Sequence, residues 1–242
     1  MISCGHRAAI EWRVTNSSLT PLKVCHSPLA VSSLPFFRGV GPAESVRLSS
    51  LLCYYKMFQK LCHYLLFKRL GWKEQVSVPN RNKCIICVAP HTSNWDFFLG
   101  ELYYTAKGKK AGFLMKNSWF FWPLGSFLRY IGGIPVERKK HTSLTDAVAE
   151  KARQSEYFHL AITPEGTRSR VEIWKRGFYF IALKANIPIQ LYAIDFEQHR
   201  IVCTREIFPK EENVEKDMKE IMDYYSSFKG RHPQNFQVED IQ

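Results

Sequence analysis

Short apolar runs alternate with longer periodic segments along most of the chain after residue 80. Apolar runs bounded by proline, glycine or charge are typical of buried strands, and apolar residues spaced by three and four are typical of helices. The pattern predicts strands at 84–89, 111–115, 134–136, 157–163, 188–195 and 200–208, and helices at 95–105, 143–154, 174–185 and 212–228. Strands that alternate with helices indicate an α/β fold with a largely parallel central sheet and flanking helices.

Three local features refine this prediction. Ser143 and Asp146 have the spacing of a capping box at the start of a helix. Segment 118–130 is rich in aromatic residues and is predicted to be partly helical, with breaks at Pro123 and Gly125. The last two strands lie only a few residues apart, so we expect an antiparallel hairpin that closes one edge of the sheet.

Residues 1–50 differ from the rest of the chain. They contain nine serines and four prolines and show no sustained helical or strand period. They also lack the charged start, continuous apolar core and small-residue cleavage site of a signal peptide. We expect a disordered tail here, followed by one folded domain over residues 51–242. A sharper hypothesis is that translation begins at Met57 and that residues 1–56 are a gene-start artefact.

Segment 51–70 is predicted to form an amphipathic helix. Its apolar residues make one wide stripe, which consists of Tyr54, Met57, Phe58, Leu61, Cys62, Leu65 and Leu66. Four polar residues on the opposite side interrupt the roughly 20 apolar residues that a membrane-spanning helix needs. A basic amphipathic helix of this kind suits a membrane interface, whereas packing of the stripe against the protein's own core is the alternative.

The charge balance points to an anionic partner. The formal net charge is +12, from 34 Lys and Arg against 22 Asp and Glu, which suits nucleic acid, an acidic carrier protein, a phosphate-bearing substrate or an anionic lipid surface. The seven cysteines have scattered spacing and form no disulfide framework, which fits a reducing cytosolic compartment. Cys84 and Cys87 form one C-x-x-C inside a predicted strand, so we interpret them as buried strand residues and predict no metal site.

The strongest chemical candidate is the turn at residues 90–96, between the predicted strand 84–89 and helix 95–105. Ser93 or Asn94 is suited to cap the helix, which leaves His91 in the turn and places Asp96 in the first helical turn. In this bent connection a carboxylate can hold one imidazole nitrogen and leave the other free as a general base. The alternative is a simple turn histidine beside a carboxylate that favours the helix dipole.

Two further polar loops follow predicted strands. Arg138 comes directly after the strand at 134–136, and residues 164–169 follow the strand at 157–163. In the second loop Gly166 permits a tight turn, and Arg168 offers a planar fork for phosphate. Because sites in α/β sheets gather at the carboxyl ends of the strands, we expect these loops to meet His91 at one edge of the sheet.

These stretches together resemble the four ordered sequence blocks of the glycerolipid acyltransferases, the lysophosphatidic acid acyltransferase group. The blocks correspond to residues 91–96, 133–138, 165–169 and 187–189. H-x-x-x-x-D is that family's active-site signature, and E-G-T-R-S matches its third block residue for residue. The resemblance covers roughly residues 58–206, nearly all of the chain outside the tail, so the domain at 51–242 is predicted to be an acyltransferase domain.

The resemblance implies transfer of a fatty acyl group from an acyl thioester to a lysophospholipid hydroxyl. His91 would be the general base, and Asp96 would orient and stabilise its imidazolium. Arg138 would bind the acceptor phosphate. The rest of the phosphate pocket would consist of Glu165, Gly166, Thr167, Arg168 and, after the strand that ends at 115, Lys116. No enzyme nucleophile is needed, because the acceptor hydroxyl itself attacks the thioester.

Two positions depart from the family pattern. Pro90 stands where many members have a small polar residue, and the fourth block lacks its usual second proline after Pro188. The second departure leaves open the shape of the pocket wall and so the acyl or acceptor preference.

The resemblance leaves several functional expectations. The acceptor is expected to be 1-acylglycerol-3-phosphate, which gives phosphatidic acid in phospholipid biosynthesis, and another lyso-lipid such as a lyso-aminolipid is the alternative. The donor is acyl-carrier protein or a coenzyme A thioester, with no bound cofactor. We expect a peripheral enzyme on the cytoplasmic face of the membrane and no nucleic-acid partner. A non-catalytic basic lipid-binding protein is a third reading.

Overall fold

A computed structural model of the protein describes residues 42–136 and 141–236. The chain divides into two units, Met1–Tyr54 and Tyr55–Gln242. The described part of the first unit is helical and belongs to α1 (Pro42–His63). This helix begins nine residues before the predicted start at residue 51, and it continues as a π-helical segment, Tyr64–Arg69. The predicted tail lies mostly in residues 1–41, outside the described residues.

A seven-stranded sheet forms the centre of the second unit. Its strands are β1 (Lys73–Val76), β2 (Lys83–Val88), β3 (Gly112–Lys116), β4 (Gly133–Val136), β5 (Phe158–Ile162), β6 (Ile189–Asp195) and β7 (Arg200–Ile207). Their order across the sheet is β1-β7-β6-β2-β5-β3-β4, and every neighbouring pair is parallel except β6 and β7. The predicted α/β fold with a largely parallel sheet is therefore confirmed.

One prediction about the sheet edge is wrong. The antiparallel β6–β7 hairpin exists, but it does not close an edge, because β1 pairs in parallel with β7 on its outer side. The sequence pattern missed β1, whose residues Lys73, Glu74 and Gln75 are all exposed. An edge strand without a buried face lacks the alternating hydrophobic signal from which strands are predicted.

The described residues contain five more α-helices: α2 (Asn94–Ala106), α3 (Leu124–Tyr130), α4 (His141–Gln154), α5 (Gly177–Ala185) and α6 (Val214–Ser226). Helices α2 to α5 connect strands, and α6 follows β7. Two predicted helix starts need correction. The helix predicted from Trp174 begins at Gly177, since Trp174 lies buried in the preceding loop. Helix α4 begins at His141, so Ser143 lies within the helix and the predicted capping box is wrong; Asp146 instead pairs with Lys184 Nζ at 2.5 Å.

Apolar side chains cover both faces of the sheet. On one face Ile85 and Cys87 join a cluster with residues of α4, α5 and α6. On the other face Cys84 and Ile86 pack with residues of α2 and with Leu66. The two cysteines of the C-x-x-C therefore point to opposite faces, as buried strand residues. Burial raises the pKa of both thiols to about 12, so both stay protonated near neutral pH.

Several large apolar side chains of the second unit face outward. In α1 and the segment after it, Met57, Phe58 and Tyr64 are each more than half exposed, whereas Cys62 and Leu66 are buried. A polar residue of α1 faces the protein, because Gln59 Nε2 donates to the Ala106 carbonyl at 3.4 Å. None of the helices in the described ranges is long and apolar enough to span a membrane.

Candidate active site

The turn between β2 and α2 has the bent geometry that its sequence predicts. Ala89 and Pro90 lead out of the buried strand, and Ser93 is the N-cap of α2, its Oγ accepting from Trp95 N at 3.2 Å. Asp96, three residues further on, returns a carboxylate to the Ser93 backbone N–H, which completes a capping box. His91 precedes the cap, so its ring can turn back toward Asp96 although the two residues are five apart.

One oxygen of Asp96 organises this turn. Oδ2 accepts from the backbone N–H groups of Thr92 and Ser93, each at 2.9 Å, and lies 3.1 Å from His91 Nδ1. The Asp96 carboxylate is buried, whereas the His91 side chain keeps 19% of its surface exposed. An ionised carboxylate only accepts hydrogen bonds, so Nδ1 carries the proton and Nε2 keeps its lone pair. No described residue forms a hydrogen bond with Nε2, which suits it to receive a proton from a bound molecule.

Glu165 touches the same turn from the neighbouring strand. It follows β5, which pairs with β2, and its Oε1 accepts from the His91 backbone N–H at 2.8 Å. Burial raises the pKa of the Glu165 carboxyl to about 7, partly offset by that hydrogen bond from His91. Glu165 therefore fixes the backbone of His91, a contact that sequence reasoning missed when it placed this residue only in a phosphate pocket.

The loop after Glu165 adds cationic groups beside the turn. Arg168 Nη1 donates to Asn94 Oδ1 at the start of α2, so this guanidinium lies next to the His91 turn. Gly166 has φ of +66°, and a Cβ there would lie 2.8 Å from Lys175 Nζ. The Lys175 side chain therefore passes over Gly166 and adds a second cation. The sequence did not predict this contact, because Lys175 is nine residues away in the same loop.

The remaining predicted site residues stand in different positions. Thr167 is exposed and its Oγ1 accepts from Ser169 N at 3.4 Å, within its own loop. Lys116 ends β3 with an exposed side chain. Arg138 lies outside the described residues, two positions beyond the end of β4. The structure thus brings His91, Asp96, Glu165 and Arg168 together, and places Lys116 at the carboxyl end of a strand in the same sheet.

A segment after α6 also contacts the turn, and no sequence motif predicted this contact. The His232 backbone N–H donates to Thr92 Oγ1 at 3.1 Å. Gly230 lies against Thr92 and Pro90, and the Arg231 guanidinium stands 5.1 Å from the centre of the Trp95 ring. Contacts between residues some 140 positions apart leave no periodicity or spacing from which they could be predicted.

The protein thus has an α/β fold with a histidine–aspartate pair at the carboxyl end of β2, a central strand, where ligands of such folds usually bind. Residues 72–194, just over half of the 242-residue chain, match the family model Acyltransferase. The chain therefore belongs to the acyltransferase family, which confirms the resemblance seen in its four sequence blocks.

The chain also shows similarity to a solved structure. The crystal structure of the 1-acyl-sn-glycerophosphate (LPA) acyltransferase PlsC from Thermotoga maritima is similar, with a TM-score of 0.48 and 18% sequence identity. The match covers 81% of this chain and 87% of that chain. No curated protein matches the sequence.

Proposed function

We propose that this acyltransferase transfers a fatty acyl group from an acyl thioester to the hydroxyl of a lysophospholipid, with 1-acylglycerol-3-phosphate as the acceptor and phosphatidic acid as the product. The proposal rests above all on the 3.1 Å contact between His91 Nδ1 and Asp96 Oδ2, which leaves Nε2 as a base beside a loop of cationic groups. The thioester comes from acyl-carrier protein or coenzyme A, and no bound cofactor takes part.

The reaction needs one base and no enzyme nucleophile. His91 Nε2 accepts the proton of the acceptor hydroxyl while the hydroxyl oxygen attacks the thioester carbonyl carbon. Asp96 stabilises the imidazolium that forms, because its carboxylate already holds Nδ1–H. The tetrahedral intermediate then collapses as its C–S bond breaks, and the departing sulfur takes the proton from Nε2. The products are an ester and a free thiol, and His91 returns to its starting state.

The acceptor phosphate is proposed to bind the cations around the turn. Arg168 offers a planar fork with several N–H donors, and its contact with Asn94 places that fork at the start of α2. Arg138 and Lys116 would add charge from the ends of β4 and β3. Glu165 suits a different role in this pocket, since its carboxylate is directed at the His91 backbone and would repel an anion.

We also propose that the enzyme works as a peripheral protein on the cytoplasmic face of the membrane. The outward-facing apolar residues of α1 support contact with a bilayer, because a helix packed only on its own protein would bury that stripe. The net charge of +12 favours anionic lipid headgroups. The seven cysteines with scattered spacing suit a reducing compartment.

The decisive test crosses acceptors with donors. Purified protein is assayed with 1-acylglycerol-3-phosphate, 1-acylglycerol without the phosphate, and a lyso-aminolipid, each with acyl-carrier-protein and coenzyme A thioesters. We expect product only with an intact His91, and His91→Ala should abolish transfer while circular dichroism and melting temperature stay close to those of the wild type.

Arg168→Ala separates the acceptor proposal from the chemistry. It should reduce kcat/KM for the phosphate acceptor about 10- to 100-fold, the loss expected for a charged hydrogen bond, and should affect the acceptor without phosphate much less. If the wild type prefers the lyso-aminolipid, the proposed acceptor is wrong and the proposed reaction stands. Vesicle binding without any turnover would leave a lipid-binding protein instead.

A further inference from the structure

Residues 228–236, here called the C-terminal strap, run along the carboxyl ends of the parallel strands, where His91 lies. The strap follows α6 and lies outside residues 72–194, the part that matches the family. Its start is held by Phe228, which is buried in the core, and by the Lys229 carbonyl, which accepts from Phe196 N at 2.9 Å in the turn after β6. Its end is held by Phe236, whose ring lies 6.1 Å from that of Trp174 in the loop after β5. The strap therefore ties together loops that follow two parallel strands.

The middle of the strap presses on the turn that contains His91. A Cβ added to Gly230 would lie 2.6 Å from Thr92 Oγ1, 2.9 Å from Thr92 Cγ2 and 3.2 Å from Pro90 Cβ. Two residues later, the His232 backbone N–H donates to the same Thr92 Oγ1 at 3.1 Å. A side chain at position 230 would collide with the short, buried side chain of Thr92, so only glycine fits there unless Thr92 moves.

Thr92 connects this contact to the paired histidine. It is only 3% exposed, and its backbone N–H donates to Asp96 Oδ2 at 2.9 Å, the oxygen that also holds His91 Nδ1. A shift of the Thr92 side chain therefore moves an amide that fixes the orientation of Asp96. Interfaces as tightly packed as this one transmit small displacements rather than absorbing them.

We propose that the C-terminal strap positions the His91–Asp96 pair by clamping Thr92 through Gly230 and His232. The strap touches neither partner of the pair in the contacts described, so Gly230, His232 and Thr92 are positioning residues. This inference deepens the proposed function and rests on it for the activity measurement alone.

Gly230→Ala is the direct test, with Gly100→Ala as the matched control. Both changes add one methyl group, but a Cβ at Gly100 in α2 would meet no atom within 4 Å. We expect Gly230→Ala to lower kcat about 10- to 100-fold, as misplacement of a catalytic group by about 1 Å does. The KM values for both substrates should stay within about twofold, because in this proposal the strap acts on the His91–Asp96 pair and not on a substrate. Gly100→Ala should leave kcat unchanged.

A double-mutant cycle separates clamping from general damage. Thr92→Ala removes the two atoms that would lie within 3 Å of a Cβ at position 230, and leaves Pro90 Cβ at 3.2 Å. If the collision causes the loss, Gly230→Ala combined with Thr92→Ala should be no slower than Thr92→Ala alone. Losses that multiply would show that the two positions act independently and would overturn the proposal.

Hydrogen exchange tests the same inference without any enzymatic reaction. We expect Gly230→Ala to speed exchange in a peptide that covers residues 91–97, which includes the amides bonded to Asp96, and not in one that covers β5. Faster exchange in a protein that transfers no acyl group would support the strap and refute the proposed function. Unchanged exchange together with unchanged kcat would refute the strap.

A second variant covers the case in which Gly230→Ala fails to fold. Thr92→Val keeps the shape of the side chain but removes the oxygen that accepts from His232 N. Thr92→Val should lower kcat and speed hydrogen exchange in the peptide that covers residues 91–97. Thr92→Ser keeps that oxygen, so its kcat and its exchange rate should be close to those of the wild type. Equal activity of the valine and serine variants would overturn the clamp.

Discussion

At the scale of single residues, the site depends on which atoms the Asp96 carboxylate holds. Oδ2 accepts from His91 Nδ1 and from two backbone amides, whereas Oδ1 is buried without a hydrogen-bond partner in the described ranges. An asparagine at position 96 can place its amide oxygen where Oδ2 lies and its NH2 group where Oδ1 lies. The geometry of the turn can therefore survive Asp96→Asn while the negative charge is lost.

We expect Asp96→Asn to lower kcat about 10²- to 10⁴-fold, the usual range for loss of assisted general-base catalysis. In the proposed mechanism an imidazolium forms when His91 takes the acceptor proton, and an amide cannot stabilise it. Steady-state kinetics with saturating donor and acceptor would measure this effect, and a melting curve would verify the fold. A variant with kcat within threefold of the wild type would exclude Asp96 from the proposed mechanism.

Glu165 should make stability depend on pH. Burial raises its pKa from 4.5 to about 7, so the folded protein keeps this proton to higher pH than the unfolded chain does. A raised carboxyl pKa contributes stability that is fully present below about pH 4.5 and is lost as the pH rises through about 7. Ionised Glu165 is thus a destabilising group in the folded protein at pH 8.

Glu165→Gln should therefore stabilise the protein at pH 8 relative to the wild type, by on the order of 1–3 kcal/mol, with a smaller difference at pH 5. The amide oxygen of glutamine can still accept from the His91 backbone N–H. Urea unfolding midpoints at the two pH values would measure the effect, with the exposed Glu156→Gln as the control substitution. Stabilisation that is equal at both pH values would contradict the assignment to Glu165 ionisation.

At the scale of helices and strands, the accuracy of the sequence prediction followed the strength of the local signal. Strand β2 and helix α2 were predicted almost in full, because proline, an N-cap serine and apolar periodicity all agree there. Strand β1 was missed because its exposed residues give no alternation. The start of α5 was placed too early because the buried Trp174 belongs to the apolar pattern without belonging to the helix.

The site shows the same limit. His91 and Asp96 could be predicted to meet, because a short turn between a strand and a capped helix brings them together locally. Arg168 could be expected nearby because its loop follows a predicted strand and sites gather at the carboxyl ends of strands, and it lies beside Asn94. The contacts of Glu165 with the His91 backbone and of His232 with Thr92 depend on side-chain direction and on distant chain segments, which periodicity does not encode.

The N-cap of α2 gives a prediction at this scale. Ser93→Ala removes the hydroxyl that accepts from Trp95 N but keeps the backbone N–H that donates to Asp96 Oδ2. We expect a loss of about 1 kcal/mol, or a melting temperature lower by about 2–4 °C, with kcat reduced less than threefold. Thermal melting beside kinetics would test this. A loss of kcat as large as that of Asp96→Asn would mean that the hydroxyl itself takes part in the chemistry.

At the scale of the whole molecule, a basic and aromatic stretch stands out between Glu101 and Glu137. No acidic residue lies between these two positions, and the cations there are Lys107, Lys109, Lys110, Lys116 and Arg129. Within segment 117–130 the large side chains turn outward: Trp119 55%, Phe121 58%, Trp122 86%, Phe127 58% and Tyr130 82% exposed. Two other residues of the segment pack against the protein. Leu128 is buried, and the Phe120 ring lies close to Gly133, where a Cβ would be 3.2 Å from it.

Exposed tryptophan and tyrosine with Lys116 and Arg129 next to them in the chain suit the headgroup region of an anionic bilayer, so this segment should help to bind membranes. Replacing Phe121 and Trp122 with serine should weaken binding to vesicles of phosphatidylglycerol and phosphatidylcholine about 5- to 30-fold, which corresponds to 1–2 kcal/mol of lost apolar contact. Vesicle flotation would measure the bound fraction, and rising salt should lower it for the wild type.

Phe208 provides the matched control for this membrane contact, since it is 55% exposed, much like Phe121. Phe208 follows β7, and the end of β7 pairs with Ile189 at the amino end of β6. Phe208 therefore lies at the amino ends of the parallel strands, whereas His91 lies at their carboxyl ends. If the aromatic segment binds the bilayer on the side of the site, Phe208→Ser should leave flotation unchanged. Equal losses from both substitutions would indicate unspecific hydrophobic adsorption. No loss from the Phe121 and Trp122 substitutions would leave α1 as the surface for the proposed membrane contact.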